Sequence, residues 1–286
     1  MFYDTYDSFT IAHSWAQREM GMAPAVRTER WQGKDVSKDP AATTYELRNV
    51  AFEVDLKGIE DLDHWRDDIA PNLPWADDHF LERVGGEPLN PGIQWAHWPW
   101  ARSAANFKRD RFNHTYMERL WPKYARRTDD GTLPVTSPLG PRRYPPMATR
   151  QSWYGLGWQY GDLWDLVEML AKEPYTRQAW IPLFFPEDTG VGDGGRKPCT
   201  LGYQLIVRDG VAHIWYPLRS CDFVRHWRDD CYLAVRLLLW VIDRCRELEP
   251  KVWNDIVPGT YAMHCTSLHI FANDKRELDA TAAAQA

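Results

Sequence analysis

The chain has 286 residues and a formal net charge of −6 at pH 7. An acidic chain lacks the basic face that duplex binding normally requires, so we expect no nucleic-acid partner. Its five cysteines, an odd number without CxxC spacing, argue against a secreted disulfide framework and indicate reduced thiols in the cytoplasm.

The sequence predicts one domain, residues 1–286, without membrane association. The start, Met1 to Thr5, has no signal-peptide pattern, and the longest apolar run, Leu237 to Ile242, is too short to span a bilayer. A single α/β domain can reach this length. Sixteen tryptophans, several of them between Trp95 and Trp121, are either core and lid residues or a platform for sugar binding.

The first half of the chain carries one clear strand signal. Residues 44–56 alternate in polarity and are rich in strand formers, which predicts a β-strand. The polar loop before this strand carries Arg27 and Arg30. Residues 126–158 include a stretch rich in Pro and Gly and are predicted to form an inserted irregular loop.

The second half predicts a helix over 162–172, a strand over 177–185 and then a hairpin. Apolar runs at 200–208 and 211–218 flank the dipeptide Asp209-Gly210, a strong signal for a two-residue turn. This arrangement puts Cys199 at the entry of the first hairpin strand. Arg219 follows the end of the second.

A long helix is predicted over 229–248, and its nearly continuous apolar surface indicates a buried central helix. A last strand spans about 260–271. The Ala-rich tail, 280–286, is predicted to be frayed.

Cys199 is a candidate nucleophile, although a lone cysteine is more often an inert buried side chain. Arginines that converge on the sulphur would favour the thiolate. His264 and His269 invite a metal interpretation, but residues five apart on a regular strand point to opposite faces. We therefore expect no metal site.

Four motifs, in order, resemble the thymidylate synthase family over residues 160–275. They are Glu173-Pro174-Tyr175-Thr176-Arg177-Gln178, Pro198-Cys199, Arg219-Ser220-Cys221-Asp222 and His269-Ile270-Phe271 with Asn273. Within the family, Cys199-Thr200, Trp227-Arg228-Asp229-Asp230 and Ser267-Leu268-His269 are more similar to phage-type deoxycytidylate hydroxymethylases. The resemblance implies a homodimeric α/β (α+β) fold with a mixed central sheet and a long buried helix. It also implies a cytoplasmic location, in a phage-infected host.

The resemblance implies that Cys199 adds to C6 of a pyrimidine nucleoside 5′-monophosphate and that 5,10-methylenetetrahydrofolate is the carbon donor. It implies that the phosphate binds Arg219 and Ser220, together with Arg177 of a second subunit and with Arg27 or Arg30. The Asp222 backbone would contact the base, and His269 would contact the sugar. Gln178 and Phe271 stand where the family commonly has a phosphate arginine and a sugar-binding tyrosine. Arg142 or Arg143 would then supplement the phosphate site.

Asp230 occupies the position at which uracil-specific members carry Asn. A carboxylate accepts from cytosine N4–H and stabilises protonation at N3, so cytosine is the expected base. If the alignment has a one-residue gap, Asp229 takes this role. Either carboxylate is also explained as an acid at a helix N-terminus.

Three further assignments rest on fainter similarity. Glu82 is the candidate for the glutamate that organises water and protons, with Asp77 and Asp78 as competitors. Tyr116 resembles the active-site tyrosine of the family. Trp98 and Trp100 would pack against base or folate.

The sequence favours conversion of dCMP to 5-hydroxymethyl-dCMP, because the end of the chain lacks the apolar terminus that closes over folate in methylating members. Alternatives within the family are a thymidylate synthase, a dUMP or CMP hydroxymethylase and a dCMP methylase. Outside enzymes, the alternative is a catalytically silent nucleotide- or carbohydrate-binding protein.

Overall fold

The computed structural model describes residues 2–31, 34–90, 92–97, 114–122, 161–189 and 197–285. The strands are β1 Phe2–Tyr6, β2 Ala25–Val26, β3 Arg30–Trp31, β4 Lys34–Asp35, β5 Thr44–Asp55, β6 Trp180–Pro182, β7 Gly202–Arg208, β8 Val211–Leu218, β9 Cys221–Asp222 and β10 Val257–Phe271. The helices are α1 Phe9–Gly21, α2 Leu62–Ile69, α3 Trp75–Val84, α4 Tyr116–Leu120, α5 Leu163–Lys172, α6 Pro186–Thr189, α7 Trp227–Leu248, α8 Pro250–Trp253 and α9 Ala272–Gln285.

A mixed sheet forms the centre of the fold, in the order β1-β5-β10-β8-β7-β6. β10 pairs antiparallel with β5 and parallel with β8, while β7 and β8 form an antiparallel hairpin. The short β9 pairs with the end of β10, and β2 pairs with β5. This topology confirms the predicted α/β class with a mixed central sheet.

The long helix α7 is buried along most of its length, as its apolar surface predicts. Fourteen of its 22 residues are buried, including Tyr232, Leu238 and Val241. It begins at Trp227, two residues before the predicted start, and ends before Pro250. Although α7 is the longest helix among the described residues, neither it nor any other helix there is long and apolar enough to cross a membrane.

The β7–β8 hairpin matches the prediction from its turn. Asp209 and Gly210 both have positive φ, 51° and 79°, which a type I′ turn requires. The strands start at Gly202 and end at Leu218, and an isolated bridge from Thr200 to Leu218 extends the pairing to the residue after Cys199. The hairpin thereby brings Cys199 and Arg219 together at its open end.

The alternation of buried and exposed residues is interrupted in the central strands β5 and β10. Asn49 of β5 has φ 55°, and Arg48 and Asn49 are both exposed. In β10 the buried positions run through Cys265 and resume at Leu268, three residues later. His264 and His269 therefore both fall between core positions, which overturns the argument that they face opposite sides. Still, no group of three or more potential metal ligands occurs among the described residues.

Three predicted segments differ from the structure. The strand predicted over 177–185 is only β6, because Pro182 has no N–H to continue the ladder. The polar loop after β2 contains the short pair β3 and β4. The tail predicted to fray is helical to Gln285, which fits the high helix propensity of Ala.

A buried ion pair anchors the short helix α4. The Arg119 guanidinium donates to both carboxylate oxygens of Asp188, at 2.6 and 2.9 Å, and stacks over the Phe185 ring at 4.6 Å. Asp188 also accepts from the Phe185 backbone N–H at 2.8 Å. These contacts fix α4 against the segment that follows β6.

One face of the sheet lacks the burial that α7 gives to the other. A row of aligned residues crosses this open face from Trp180 through Gln204, Trp215 and Ala262 to Glu53. Trp180 and Trp215 are 37% and 41% exposed, and their ring centroids lie 5.8 Å apart. Two partly exposed tryptophans thus lie side by side at the β6 edge.

Candidate active site

Cys199 lies at the open end of the β7–β8 hairpin. Its carbonyl accepts a hydrogen bond from the Arg219 backbone N–H at 2.9 Å, which continues the hairpin by one residue pair. Cys199 is partly exposed, whereas the other four cysteines are buried. It is therefore the one thiol that a substrate in solution can reach.

A cation and a hydroxyl lie next to the Cys199 sulphur. Arg219 Nη2 is 3.7 Å from Sγ, and the Ser220 hydroxyl donates to Sγ at 3.6 Å. The guanidinium is held in place because its Nε and Nη2 donate to the carbonyls of Pro198 and Lys197, at 2.7 and 2.9 Å. Both neighbours stabilise negative charge on the sulphur, as a nucleophilic thiolate requires.

The Tyr116 hydroxyl supports the backbone on the other side of the thiol. It accepts from the N–H groups of Cys199 and Thr200, each at 3.3 Å. The Thr200 hydroxyl in turn bonds the buried Tyr216 hydroxyl at 2.9 Å. Burial raises the pKa of Tyr116, and the nearby Cys199 and Asp230 raise it further, so the phenol stays neutral.

Asp229 and Asp230 have separate surroundings at the start of α7. Asp229 is buried and accepts from the backbone and side-chain N–H groups of Asn72, both at 2.8 Å. Asp230 is partly exposed, and its carboxylate accepts a weak hydrogen bond from the Cys221 thiol at 3.7 Å. Burial of its carboxyl raises the pKa of Asp230 to about 7, against the opposing influence of Arg83.

Glu82 lies at the end of α3 in a buried hydrogen-bond chain. Its carboxylate accepts from His79 Nδ1 and from the Gln94 backbone N–H, both at 3.3 Å. A side chain at Gly92 would overlap this carboxylate, so the backbone approaches as closely as only glycine allows. Burial opposes the charge, but the His79 and backbone hydrogen bonds prevail and lower the pKa of Glu82.

The two competitors of Glu82 have other surroundings. Asp77 accepts from the Tyr232 hydroxyl at 2.6 Å and pairs with Arg66 and Arg236. Asp78 is exposed on α3. Glu82 is therefore the α3 carboxylate that is connected to the site, through His79 and Arg83 to Tyr116.

Asp222 and His269 are register partners of β9 and β10. The Asp222 carboxylate accepts from the N–H groups of Val224 and Arg225, each at 3.2 Å, and burial raises its pKa. The Arg225 guanidinium lies 4.8 Å over the Phe271 ring and pairs with Asp274 at 2.8 Å. Phe271 thus packs under a cation that the sequence motifs do not include.

Among the described residues, Arg27, Arg177 and Gln178 form no hydrogen bond with Cys199. Arg177 and Gln178 are exposed just before the edge strand β6, and Arg27 is exposed just after β2. The Arg30 side chain lies outside what the structure describes, as do Trp98, Trp100, Arg142, Arg143 and the predicted insertion 126–158.

Sequence reasoning missed His79 and Arg83, which link Glu82 to Tyr116. His79 Nε2 accepts from Arg83 Nε at 3.0 Å, and the Arg83 guanidinium lies 4.6 Å over the Tyr116 ring. The available signal was their spacing: on a helix, residues four apart share a face, and both flank Glu82.

Comparisons with known proteins agree with this fold. A putative thymidylate synthase of Methanosarcina barkeri is 30% identical over 113 residues, which is 38% of this chain and 45% of that protein. The match therefore spans less than half of the relative's length. Thermostable thymidylate synthase A from Bacillus subtilis superposes with a TM-score of 0.57 at 14% identity, over 95% of this chain and 82% of that one. No family model matches.

The described residues thus have the thymidylate synthase fold, with a partly exposed thiol at the open end of its central hairpin. The sequence match and the structural match together support a relationship to the thymidylate synthase family.

Proposed function

We propose that this protein is a pyrimidine-nucleotide C5 hydroxymethyltransferase that converts dCMP to 5-hydroxymethyl-dCMP with 5,10-methylenetetrahydrofolate. The observation that carries this proposal is the Cys199 sulphur, set between the Arg219 guanidinium and the Ser220 hydroxyl, with the Asp230 carboxyl at the neighbouring start of α7. A nucleophile, an anion site and a base-reading acid are the parts that the reaction needs.

Cys199 begins the reaction by adding its thiolate to C6 of the pyrimidine, which makes C5 a carbon nucleophile. Bound methylenetetrahydrofolate supplies the one-carbon unit that C5 takes up. The carbon donor reacts only with a nucleophilic C5, and a thiol that the substrate can reach, beside a fixed cation, is suited to make C5 nucleophilic by adding to C6. The C5 proton then leaves to a base, for which the ionised Glu82 is the candidate. With tetrahydrofolate as the leaving group from the transferred carbon, water adds to that carbon as the final hydroxyl and gives up a proton, and Cys199 leaves C6 as a thiolate.

Asp230 is proposed to read the base. As a neutral acid it donates to cytosine N3 and accepts from N4–H, while as a carboxylate it accepts from N4–H and from a protonated N3. Uracil presents O4, an acceptor, to the same oxygens, so the carboxylate repels it. Asp229 is the aspartate that bonds Asn72, and the separate surroundings of Asp230 support base reading rather than a helix-capping role.

The phosphate is proposed to bind Arg219 and Ser220, with Arg177 contributed by a second subunit and Arg27 or Arg30 closing the site. The exposure of Arg177 at the β6 edge and of Trp180 and Trp215 on the open face supports a homodimer. His269 and the Asp222 backbone complete the nucleoside contacts, next to Phe271. Trp98 and Trp100 are proposed to pack against the folate.

Release of tritium from C5-labelled nucleotide tests the proposal. Wild-type protein should release tritium from dCMP faster than from dUMP or CMP, and Cys199→Ala should abolish it. Cys245→Ala, a buried thiol in α7 that bonds the Val167 carbonyl, is the control and should keep activity. Mass spectrometry then separates a hydroxymethyl from a methyl product.

Other outcomes identify the alternatives. Release from dUMP alone would point to a thymidylate synthase or a dUMP hydroxymethylase. A methyl product from dCMP would indicate a dCMP methylase. Nucleotide binding that survives Cys199→Ala, without product from wild type, would indicate a silent binding protein.

A further inference from the structure

His79 is a buried histidine on α3 whose ring is fixed by three neighbours. Its side chain is 3% exposed. The Trp75 ring stacks on it, with the ring centroids 4.8 Å apart and the planes 18° from parallel. Its Nε2 lies 3.0 Å from Arg83 Nε, and its Nδ1 lies 3.3 Å from Glu82 Oε2. Residues three and four apart share a face of a helix, so these four side chains lie on one face of α3.

Arg83 determines which nitrogen of the His79 ring carries the proton. A guanidinium can only donate, so Nε2 must accept from Arg83 and cannot carry a proton. Burial, assisted by the charge of Arg83, lowers the pKa of His79 to about 4, so the ring is neutral at physiological pH. A neutral ring without a proton on Nε2 carries it on Nδ1. His79 therefore donates a hydrogen bond to Glu82.

The Glu82 carboxylate is held between two donors, one for each oxygen. Oε2 accepts from His79 Nδ1, and Oε1 accepts from the Gln94 backbone N–H at 3.3 Å. The Trp75 indole N–H donates to the Gln94 carbonyl at 2.7 Å, which joins the second donor to the ring that stacks on the first. A Cβ at Gly92 would overlap the carboxylate, so the backbone closes a further side. The orientation of the carboxylate is therefore fixed.

The same contacts favour the ionised form of Glu82. Burial opposes the charge, but the hydrogen bonds from His79 and from the backbone N–H groups of Gln94 and Ile93 prevail and lower the pKa of the carboxyl. Arg83 affects this carboxylate through His79, whose tautomer it fixes. A carboxylate has about four lone-pair sites, so these three donors do not saturate it. It can still take up a proton.

We propose that His79 is a positioning residue for the transfer of the C5 proton, whose Nδ1–H keeps the Glu82 carboxylate in the fixed, ionised form that a base requires. This inference rests on the proposed function, because it assumes that Glu82 takes the C5 proton. In that step the C5–H bond breaks, the proton passes to a Glu82 oxygen, and the electron pair stays on the pyrimidine adduct. His79 acts through Glu82 rather than on the nucleotide.

Two measurements separate proton transfer from addition at C6. Tritium release from C5-labelled dCMP, with methylenetetrahydrofolate, reports proton transfer and is followed from pH 5 to 9. Covalent attachment of 5-fluoro-dCMP to the protein, read by mass spectrometry, reports addition of Cys199, because C5 of that nucleotide has no proton to lose after the carbon is transferred. Asp230, whose pKa burial raises to about 7, titrates in the same range in every variant, so each profile is compared with that of wild type.

His79→Phe keeps a ring to stack on Trp75 but removes the donor. Tritium release should fall about tenfold or more at pH 6 and recover in part toward pH 9, because loss of the donor raises the pKa of Glu82. Attachment of 5-fluoro-dCMP should stay within about twofold of wild type. His79→Asn keeps an N–H donor near the Nδ1 position and should restore tritium release to within about threefold of wild type.

His13→Phe is the matched control. His13 is a partly buried histidine that stacks on the Phe223 ring at 4.8 Å, and its Nδ1 lies 3.4 Å from an arginine nitrogen, Arg228 Nη2, instead of a carboxylate. Its replacement removes a comparable ring with a comparable polar contact. It should lower stability without changing either measurement.

Defined outcomes overturn the inference. Tritium release in His79→Phe equal to that of wild type at pH 6 would do so. Equal losses of tritium release and of 5-fluoro-dCMP attachment would also do so, since His79 would then support the whole site. If neither His79 variant folds, ¹⁵N NMR of histidine-labelled wild type decides, because a spectrum at pH 7 without a neutral Nδ1–H histidine would contradict the tautomer. Failure of wild type to attach 5-fluoro-dCMP would overturn the proposed function, and the inference with it.

Discussion

Asp229 and Asp230 are consecutive residues of α7, yet their carboxyl groups serve different parts of the molecule. Asp229 accepts two hydrogen bonds from Asn72, whereas Asp230 accepts one from the Cys221 thiol at 3.7 Å. Helices place successive side chains about 100° apart, so neighbouring positions can face the scaffold and the site. This separation makes the two aspartates a matched pair for mutation.

Asp230→Asn should shift preference from dCMP toward dUMP by at least about tenfold, because an amide donates to O4 and accepts from N3–H of uracil. Steady-state kcat/KM values for both nucleotides measure the change. Asp229→Asn is the control and should leave the ratio intact. An unchanged ratio in Asp230→Asn would reduce Asp230 to an acid at a helix N-terminus.

The preference for dCMP should increase as pH rises through about 7, the pKa to which burial raises Asp230. Above this pH the carboxylate repels uracil O4, so dUMP turnover should fall about tenfold per unit. Turnover of dCMP should fall less, because cytosine N3 can take up the proton. A ratio that stays flat between pH 6 and 9 would argue against Asp230 as the titrating group.

Asp230 should destabilise the folded protein at neutral and higher pH. Its folded pKa of about 7 exceeds the reference value of 3.8, so the folded state binds more protons and stability falls as pH rises between these values. Asp230→Asn should therefore raise stability at pH 8 by at most about 4 kcal/mol and by much less at pH 5. Thermal unfolding at both values measures this, and an equal gain at both would contradict it.

Tyr116→Phe should leave the N–H groups of Cys199 and Thr200 without their shared acceptor. We expect a loss of about 1–3 kcal/mol of stability and a fall of about tenfold or more in C6 addition, because the nucleophile is less firmly held. Urea unfolding and tritium release measure the two effects. Tyr175→Phe, at an exposed position, is the control. Full activity in Tyr116→Phe would show that the hydroxyl does not position the thiol.

Asp188→Ala should cost about 3–5 kcal/mol, since it leaves the buried Arg119 guanidinium without its carboxylate. Asp243→Ala, which removes an exposed partner of Arg246, should cost less than about 1 kcal/mol. Chemical denaturation of both variants provides the comparison. Similar losses in the two would mean that the Arg119–Asp188 pair is not effectively buried.

Local signals predicted the elements that carry Cys199 and Arg219. The Asp209-Gly210 turn sets the β7–β8 hairpin, and the apolar surface of α7 required a buried helix. The assumption that β10 alternates regularly between buried and exposed residues was wrong, because the alternation is interrupted near Thr266. This interruption depends on the pairing of β10 with β5, which no local sequence pattern shows. The Ala-rich tail was expected to fray, but it is helical to Gln285, as the helix propensity of alanine favours.

The parts of the site that sequence could not assemble depend on distant contacts. The engagement of Asp229 by Asn72 joins residues more than 150 positions apart, so no local pattern could show that Asp229 serves the scaffold. The link from Glu82 to Cys199 passes through His79, Arg83 and Tyr116, which belong to two separate helices. Motif order predicted Cys199 as the nucleophile, and only the packing showed which residues support its backbone.

The Asp209–Gly210 turn has a practical consequence, because it lies at the end of the hairpin opposite Cys199. β7 has seven residues, and at about 3.4 Å per residue the turn is roughly 24 Å from the thiol. A fluorophore attached at this turn would therefore lie far from Cys199 and outside the paired residues of both strands. The hairpin that brings Cys199 close to Arg219 at one end thus provides a labelling position at its other end.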